Sequence, residues 1–410
     1  MKILIIGGGA AGCYAAVHAA KAGHDVTILE KNKIIGKKLR ITGKGRCNLT
    51  NNCGLQELIQ NVPRNPRFLY SAFSACSPQD VMAYFENLGV ALKTERGNRV
   101  FPVSDQAAEI VEAFYQELKR LHVRILHETV TELLTEDQNC KGVRCGEKIF
   151  RADRILLATG GATYPGTGSE GDGYRLAQQA GHRIEPLQPS LVPLETLERD
   201  CAEMMGISLK NVTLTLRKEN KILYQEQGEM LFTHFGVSGP LVLSASAHLD
   251  FHADPDAGKF HKLQIDLKPA LTLEQLDKRL QREIAANPNQ QLSSLLRKLV
   301  PANMVMPLID RLQIPPYLKN HSLTKQHRIR ICEKLKNFEF TVRQTRPIEE
   351  GIITRGGISC KEVNPKTMES RLIQNLYFAG EILDVDAYTG GFNLQIAFAT
   401  GFLATKAMIQ

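Results

Sequence analysis

The chain opens with two hydrophobic runs that are separated by a stretch of small residues. Lys2–Ile6 is continuously apolar after its first residue and predicts a buried parallel strand. Tyr14–Ala22 is rich in alanine and predicts a helix that can lie close to a sheet, and Asp25–Leu29 predicts a second strand. The first thirty residues therefore predict a βαβ unit.

Two short apolar runs later in the chain have the same character. Ile155–Ala158 and Leu376–Ala379 each end at a glycine, which is typical of strands that pass close beneath a ligand. The long apolar run Phe392–Met408 follows a Gly390–Gly391 pair and predicts a helix near the end of the chain. These segments extend the predicted parallel sheet far beyond its first unit.

The pattern changes after Pro186, where a proline-rich stretch is followed by shorter alternating runs. Val212–Leu216, Lys221–Tyr224 and Lys262–Leu267 alternate between apolar and polar residues and predict a small antiparallel β domain. Its predicted limits are residues 188–270 and 337–346.

Helical spacing of leucines then predicts a helical insert over residues 271–336. Thr272–Leu299 and His321–Lys336 carry this spacing, with Pro315–Pro316 between them. Residues 1–187 and 347–410 remain as one discontinuous domain built on the parallel sheet.

The sequence GGGAAG between the first strand and helix places three glycines in the GxGxxG pattern. Gly7 suits the tight turn, Gly9 allows a pyrophosphate to approach the backbone, and Gly12 allows helix and strand to lie close together. The helix N-terminus offers free N–H groups and a positive dipole end to phosphates. Glu30 ends the second strand, where a carboxylate accepts hydrogen bonds from an adenosine ribose. The pattern predicts a dinucleotide site, for either FAD or NAD.

Composition excludes a small binding module and a disordered chain. The 410 residues are 43% hydrophobic and 23% charged, which is ordinary for a globular protein of two or three domains. Lys and Arg exceed Asp and Glu by 51 − 43 = 8. Residues 297–346 hold eleven basic and three acidic residues, so this segment alone carries a surplus of eight, and residues 31–46 hold seven basic residues and no acid. Both segments favour anionic ligands.

Cysteine usage and hydropathy bear on the compartment. The nine cysteines include no CxxC pair and indicate reduced thiols rather than a disulfide framework. No apolar run approaches the length of a membrane span, and Met1 leads directly into the first strand. We therefore expect a soluble cytoplasmic protein with no membrane association, and the spacing of His and Cys predicts no metal site.

Four further segments resemble the HI0933-like flavoproteins, a family within the glutathione-reductase-type superfamily of FAD oxidoreductases. With GGGAAG, the resemblance covers essentially the whole chain. The matching segments are GKKLRITGKGRCNLTN (36–51), ILLATGGATYPGTGSEGDGY (155–174), GEMLFTHFGVSGP (228–240) and NLYFAGEILDVDAYTGGFNLQIAFATG (375–401).

The resemblance implies an α/β fold: a glutathione-reductase-type, FAD-binding Rossmann domain with an inserted antiparallel β domain and a helical subdomain. It implies that both ends of the chain enclose FAD, and that the N-terminus of the last helix faces the pyrimidine end of the flavin. Related superfamilies usually have Asp where this chain has Glu381, and the extra methylene of Glu381 still permits a contact to the ribityl chain. The implied cofactor-binding residues are Gly7, Gly9, Ala11, Gly12, Glu30, Lys31, Lys38, Gly43, Arg46, Val130, Gly160, Gly380, Glu381, Gly391, Asn393 and Leu394.

No second βαβ unit with its own glycine pattern and terminal acid is present in the sequence. Residues 160–173 contain six glycines, but they follow a lone strand. We therefore expect NAD(P)H to act as an electron donor that binds transiently, without a domain of its own.

Three side chains are candidates for proton transfer. Cys47 lies in the glycine-rich loop beside Lys44 and Arg46, whose charges predict a lowered thiol pKa, and its alternative role is packing beneath that loop. His234 is a candidate acid or substrate-orienting group at the interface of two domains, with a structural histidine as the alternative. Tyr388 precedes the Gly390–Gly391 turn and is a candidate to lie over the flavin.

The family spans several substrates, so the fold does not select among them. Its members reduce uridine to dihydrouridine in large-subunit ribosomal RNA, reduce steroid enones or oxidise small amines. The basic helix near Tyr317, Phe338 and Phe340 favours the first, with an extruded uracil as the substrate and ribosomal RNA as the partner. A small-molecule flavoenzyme and a non-catalytic protein that binds flavin and RNA are the alternatives. The candidate RNA-binding residues are Lys325, Arg328, Arg330 and Lys334.

Overall fold

The computed structural model describes residues 1–249 and 261–410, and the chain divides into two compact units. The first unit comprises Met1–Ser190 and Pro347–Gln410, and the second comprises Leu191–Arg346. Residues 250–260, which belong to the predicted β domain, lie outside the described residues.

The first unit is built on a five-stranded parallel sheet with the order β19-β10-β1-β2-β6. Its central strand β1 is fully apolar and buried after Lys2, as expected for a parallel strand that is covered on both faces. The predicted Rossmann fold is confirmed. The strands of this sheet are β1 (Lys2–Ile6), β2 (Asp25–Leu29), β6 (Arg124–Leu126), β10 (Arg154–Leu157) and β19 (Leu376–Phe378).

Three smaller antiparallel sheets complete the first unit. They have the orders β3-β5-β4, β7-β8-β9 and β11-β18. Their strands are β3 (Thr50–Asn51), β4 (Leu92–Glu95), β5 (Arg99–Pro102), β7 (Glu132–Glu136), β8 (Asn139–Cys145), β9 (Lys148–Arg151), β11 (Ile184–Ser190) and β18 (Ile353–Ile358).

Two helices from opposite ends of the chain pack together in this unit. A Cβ atom added at Gly401 would lie 2.6 Å from the Ala11 carbonyl oxygen, so only glycine permits the observed approach. Thr405 donates a hydrogen bond to the Ala15 carbonyl at 3.2 Å. The helices of this unit are α1 (Ala10–Lys21), α2 (Leu55–Gln60), α3 (Tyr70–Ala75), α4 (Pro78–Asn87), α5 (Ala107–Arg120), α6 (Asp172–Gln179) and α12 (Phe392–Met408).

The second unit contains a closed barrel of six antiparallel strands in the order β12-β15-β14-β13-β16-β17. Closure removes the exposed edges that an open sheet of this size would leave. The strands are β12 (Leu194–Thr196), β13 (Ser208–Lys218), β14 (Lys221–Phe232), β15 (Gly236–Ser238), β16 (His261–Asp266) and β17 (Phe338–Thr345).

The predicted helical insert packs on this barrel. Leu276 and Ile331 belong to the same buried core as the barrel residues Leu214 and Leu263, so barrel and helices form one compact unit. The described helices of this unit are α7 (Pro240–Ser246), α8 (Leu273–Ala286), α9 (Leu292–Leu296), α10 (Val305–Leu312) and α11 (Lys325–Lys336).

Several helix boundaries differ from the predicted ones, and the helix predicted over Tyr14–Ala22 is α1, which begins at Ala10 and ends at Lys21. The helical spacing over 272–299 divides into α8 and α9 because the intervening segment contains Pro288, which removes a backbone donor. The helical spacing predicted from His321 becomes an α-helix only at Lys325, which is the predicted start of the basic helix, because Thr324 caps it by accepting a hydrogen bond from the His327 amide at 3.2 Å.

Candidate dinucleotide site and basic helix

The glycine turn between β1 and α1 has the geometry of a phosphate-binding loop. Gly7 has a φ of +101°, and a Cβ atom at Gly12 would lie 2.0 Å from the Gly7 carbonyl oxygen, so both positions require glycine. A Cβ atom at Gly9 would meet nothing within 4 Å. The amides of Ala10, Ala11 and Gly12 have no hydrogen-bond acceptor in the described part of the chain. This helix end therefore offers three donors beside open space, which suits a pyrophosphate.

Glu30 closes the site at the end of β2, and its carboxylate is buried. One oxygen accepts from the Gly8 amide at 2.8 Å. The other accepts from the Asn32 amide at 2.8 Å and from the Asn32 side chain at 2.7 Å. These bonds hold the carboxylate beside the glycine turn, where a ribose would lie.

Lys31 and Lys38 both form ion pairs rather than standing free. Lys31 pairs with Glu170 at 2.9 Å and with Asp172. Lys38 pairs with Glu381 at 2.8 Å and donates to the Thr163 hydroxyl at 2.8 Å. These lysines therefore connect the basic segment 31–46 to distant segments of the first unit.

Glu381, expected to contact a ribityl chain, is held by three groups of the protein. Besides Lys38, its carboxylate accepts from the Thr354 amide at 2.8 Å and from the Thr163 hydroxyl at 3.2 Å. A Cβ atom at Gly161 would lie 2.5 Å from the same carboxylate, so the glycine leaves space for it. Glu381 thus joins four segments of the first unit.

The N-terminus of α12 presents a second set of free donors. Gly390 and Gly391 have φ values of +122° and +98°, which turn the chain sharply into the helix. The amides of Phe392, Asn393 and Leu394 have no acceptor among the described residues. This end can therefore stabilise negative charge on a ligand.

Polar side chains that follow the basic segment 31–46 fix this turn, and no sequence pattern predicted them. Asn48, in the amide orientation that satisfies both of its ends, accepts from the Gly391 amide at 3.0 Å. Thr50 donates to the buried Gln395 side chain at 2.7 Å, and Asn51 donates to the Gly390 carbonyl at 3.0 Å. We call Asn48, Thr50 and Asn51 the loop clamp. Because the Gly391 amide bonds to Asn48, it is not a free donor for a cofactor.

The segment before the turn is also braced. The Asn393 side chain accepts from the Ala387 amide at 2.9 Å and donates to the Ala387 carbonyl at 2.7 Å. Tyr388 donates its backbone N–H to the Asn61 carbonyl at 3.0 Å, and its side chain is partly buried. Asn393 therefore has two tasks, since its side chain braces the loop and its amide remains available.

The predicted lowering of the Cys47 pKa is wrong. The side chain is completely buried, and burial raises the pKa of the thiol to about 12. The neighbouring guanidinium is also engaged, since Arg46 pairs with Glu95 at 2.5 Å and Asp105 at 2.6 Å and lies over Phe101. The geometry supports packing beneath the loop, the alternative for Cys47.

The remaining candidates occupy several positions. Gly43 and Gly160 have φ values of +57° and +75°, and Gly380 donates its amide to the Thr400 hydroxyl at 2.9 Å. Val130 is buried in the segment between β6 and β7. His234 is exposed in the second unit, between β14 and β15, where its ring contacts Phe235.

The basic helix α11 keeps most of its charge available. Arg328 pairs with Asp277 at 2.9 Å, whereas Lys325, Arg330 and Lys334 form no ion pair with any described residue. The predicted aromatic contribution is partly wrong, since Phe338 and Phe340 are fully buried in the second core. Tyr317 is 70% exposed.

Within residues 1–249 and 261–410, no group of three His, Cys, Asp or Glu side chains could hold a metal ion. No helix in these ranges is long and apolar enough to cross a membrane.

Curated relatives match nearly the full length of the chain. A 3-dehydro-bile acid delta(4,6)-reductase from Clostridium scindens is 33% identical over 100% of this chain and 99% of its own. A ribosomal RNA dihydrouridine synthase from Haemophilus influenzae is 30% identical over 97% of this chain and 96% of its own.

Solved structures share the fold. The 3-ketosteroid-delta4-(5alpha)-dehydrogenase of Rhodococcus jostii matches with a TM-score of 0.53 and 15% identity, over 100% of this chain and 96% of its own. The family model described as "HI0933-like protein Rossmann domain" matches residues 1–407. The chain therefore belongs to the HI0933-like family of FAD-dependent oxidoreductases.

Proposed function

We propose that this enzyme reduces a carbon–carbon double bond, and that its substrate is a uracil ring in large-subunit ribosomal RNA. The reaction converts one C=C bond to a C–C bond by adding a hydride and a proton, and NAD(P)H is the electron donor that is oxidised. FAD supplies the two-electron chemistry when it is bound. We also propose a cytoplasmic location, where ribosomal RNA is present.

The residues of the first unit fit FAD at both of its ends. The amides of Ala10, Ala11 and Gly12 would bind the pyrophosphate, and Glu30 would accept from the adenosine ribose. The amides of Asn393 and Leu394 would stabilise negative charge at the pyrimidine end of the flavin. Lys31, Lys38 and Arg46 would act by bracing the loops, since each is already ion-paired.

One observation carries the choice of RNA. The three basic residues nominated for the cofactor are all paired with acids, whereas three of the four nominated for RNA form no ion pair with any described residue. Unpaired basic side chains on one helix favour a polyanionic partner. The relative named as a ribosomal RNA dihydrouridine synthase supports the same choice.

The second candidate is reduction of a conjugated double bond in a steroid-like small molecule. The 33% identity to the bile acid reductase over the whole chain supports this candidate. In this case we expect turnover in the absence of RNA and little dependence of the rate on salt.

An anaerobic half-reaction separates the two. The holoenzyme is reduced with NADPH or NADH, and reoxidation is followed after addition of unmodified ribosomal RNA, a steroid enone, buffer alone or air. Fast reoxidation by RNA, with a gain of two hydrogen atoms in one uridine by mass spectrometry, supports the first proposal. Fast reoxidation by the enone and none by RNA would replace it with the second.

A further inference from the structure

A groove of about 580 Å³ lies in the second unit, beside the basic helix. The start of α8, the end of α10 and one side of α11 form its walls. The lining includes the side chains of Leu273, Arg311, Arg330, Glu333, Lys334 and Lys336. The volume is within the range of ordinary ligand sites.

The floor of the groove holds an arginine that is fixed in place. Arg311 lies over the rings of Phe338 and Phe340, with its guanidinium carbon 4.1 and 4.3 Å from their centroids. It donates to both oxygens of Asp200, at 2.5 and 2.9 Å, and to the Glu339 carbonyl at 2.6 Å. Arg311 therefore serves the fold, and its charge is already balanced.

A lysine of the same wall is fixed in a similar way. Lys336 pairs with Asp266 at 2.5 Å and donates to the carbonyls of Lys268 at 3.1 Å and Leu271 at 2.8 Å. These bonds secure the turn that leads into α8. The groove thus has a rigid base before any ligand binds.

The rim of the groove carries two basic side chains, Arg330 and Lys334, and unlike Arg311 and Lys336 they have no acidic partner among the described residues. Arg330 and Lys334 lie one turn apart on α11, so they project from the same side of the helix. Neither forms an ion pair with a described residue, and Glu333 is the one acid among the lining residues. Leu273 is 51% exposed and adds an apolar edge.

A further basic residue, Lys268, belongs to the turn that Lys336 secures. Lys268 is partly buried, and its carbonyl is one of the two that bind Lys336. Burial, together with the nearby charge of Arg279, lowers the pKa of Lys268. No described acid pairs with the Lys268 side chain.

We propose that this groove docks the phosphodiester backbone of folded ribosomal RNA. The proposal rests on the proposed function for the identity of the RNA. Arg330 would bind phosphate oxygens through its planar fork, Lys334 would bind as a point charge, and a ribose or base would lie on Leu273. The groove thus holds RNA in the second unit by phosphate contacts, which position the substrate without selecting its sequence.

The test measures binding without turnover. A transcript of the ribosomal RNA domain is titrated with oxidised holoenzyme, and the dissociation constant is measured by fluorescence anisotropy at several salt concentrations. The groove variant is Arg330→Glu with Lys334→Glu. Its matched control is Lys361→Glu with Lys366→Glu, which makes the same change of charge at two exposed lysines of the first unit. A third variant, Lys268→Gln, probes the turn beside the groove.

We expect the groove variant to bind RNA at least about tenfold more weakly, with the slope of log K against log salt reduced by about 2. Its flavin content and thermal melting should match wild type, the control should retain wild-type affinity, and Lys268→Gln should weaken binding less than the groove variant. Equal losses in the control would show a diffuse charge effect and overturn the proposal. An unchanged RNA affinity with a raised KM for NADPH would assign the groove to the donor nucleotide instead.

Failure of the groove can be distinguished from failure of the proposed function. If the groove variant binds RNA normally and wild-type enzyme is still reoxidised by RNA, the groove proposal fails alone. If wild-type enzyme neither binds RNA nor is reoxidised by it, both fail.

Discussion

At the scale of single residues, the free space beside Gly9 indicates where a ligand could bind. A Cβ atom there meets no atom within 4 Å, and φ is −84°, so a side chain is compatible with the fold. The space would hold the pyrophosphate of FAD. A carboxylate at this position would repel those phosphates while leaving the protein intact.

We therefore expect Gly9→Asp to fold normally and to lose bound FAD, as measured by visible absorbance per mole of protein. Gly54→Asp is the matched control, because Gly54 also precedes a helix, has a φ of −81° and has no atom within 4 Å of its Cβ position. A yellow Gly9→Asp protein with wild-type flavin content would refute the assignment of the nucleotide site.

Glu117 gives a prediction about pH at the same scale. It pairs with Lys21 at 3.0 Å and Arg120 at 2.7 Å, and the hydrogen bond from Arg120 lowers its pKa from 4.5 to about 2, against the effect of burial. A carboxyl with a lowered pKa stabilises the fold above its unfolded value, and this contribution is lost as pH falls from about 4.5 towards 2.

Glu117→Gln should therefore reduce the free energy of unfolding by about 2 kcal/mol at pH 7 and by much less near pH 2. Urea unfolding at several pH values measures the difference, and Glu112→Gln on the same helix is the control. A loss that is equal at both pH values would contradict the role of the charge.

At the scale of elements, the loop clamp connects a loop near residue 50 to the N-terminus of α12. Asn51 donates to the Gly390 carbonyl and to the Gly97 carbonyl, both at 3.0 Å, and its own side-chain oxygen is buried without a partner among the described residues. The clamp therefore determines where the free amides of α12 point.

Asn51→Ala should make the orientation of the free amides of α12 less well defined without unfolding the protein. We expect the flavin to be bound several-fold more weakly, and its reduction potential to fall by on the order of 20 mV, because the helix end stabilises the negative charge gained on reduction less well. A dye-linked redox titration measures the potential. Asn61→Ala removes a side chain whose one hydrogen bond within residues 1–249 and 261–410 goes to the Glu57 carbonyl, so the potential should stay unchanged.

The sequence predicted those elements whose signals are local. β1, β2 and α12 have the predicted bounds because each is a continuous run of one pattern. The loop clamp was missed because its partners are more than 300 residues away, and no local pattern identifies them. Cys47 was misjudged for a related reason, since burial dominates the effect of neighbouring charges and is set by tertiary packing.

At the scale of the whole molecule, the two units have separate buried cores. The sequence predicted an antiparallel β domain, but closure of the barrel depends on the pairing of β12 with β17, which are about 150 residues apart. The residues nominated for FAD all belong to the first unit, and those nominated for RNA all belong to the second.

Calorimetry should therefore show two transitions, and added FAD should raise only one of them. A ligand at 100 times its dissociation constant stabilises the unit that binds it by about 2.7 kcal/mol. A melting curve of the isolated fragment 191–346 identifies the transition whose temperature FAD does not change. A single transition shifted as a whole by FAD would show that the two cores unfold together.

The division of the first unit also has a consequence for synthesis on the ribosome. Residues 1–190 emerge long before residues 347–410. The face of α1 at Ala11 and Ala15 therefore stays uncovered until α12 has been synthesised. The inserted unit is completed first and can fold during this delay. Because α12 also carries the free amides at one end of the proposed site, the nascent chain can complete that site only after α12 has emerged, and a truncation that removes α12 should yield an apoprotein.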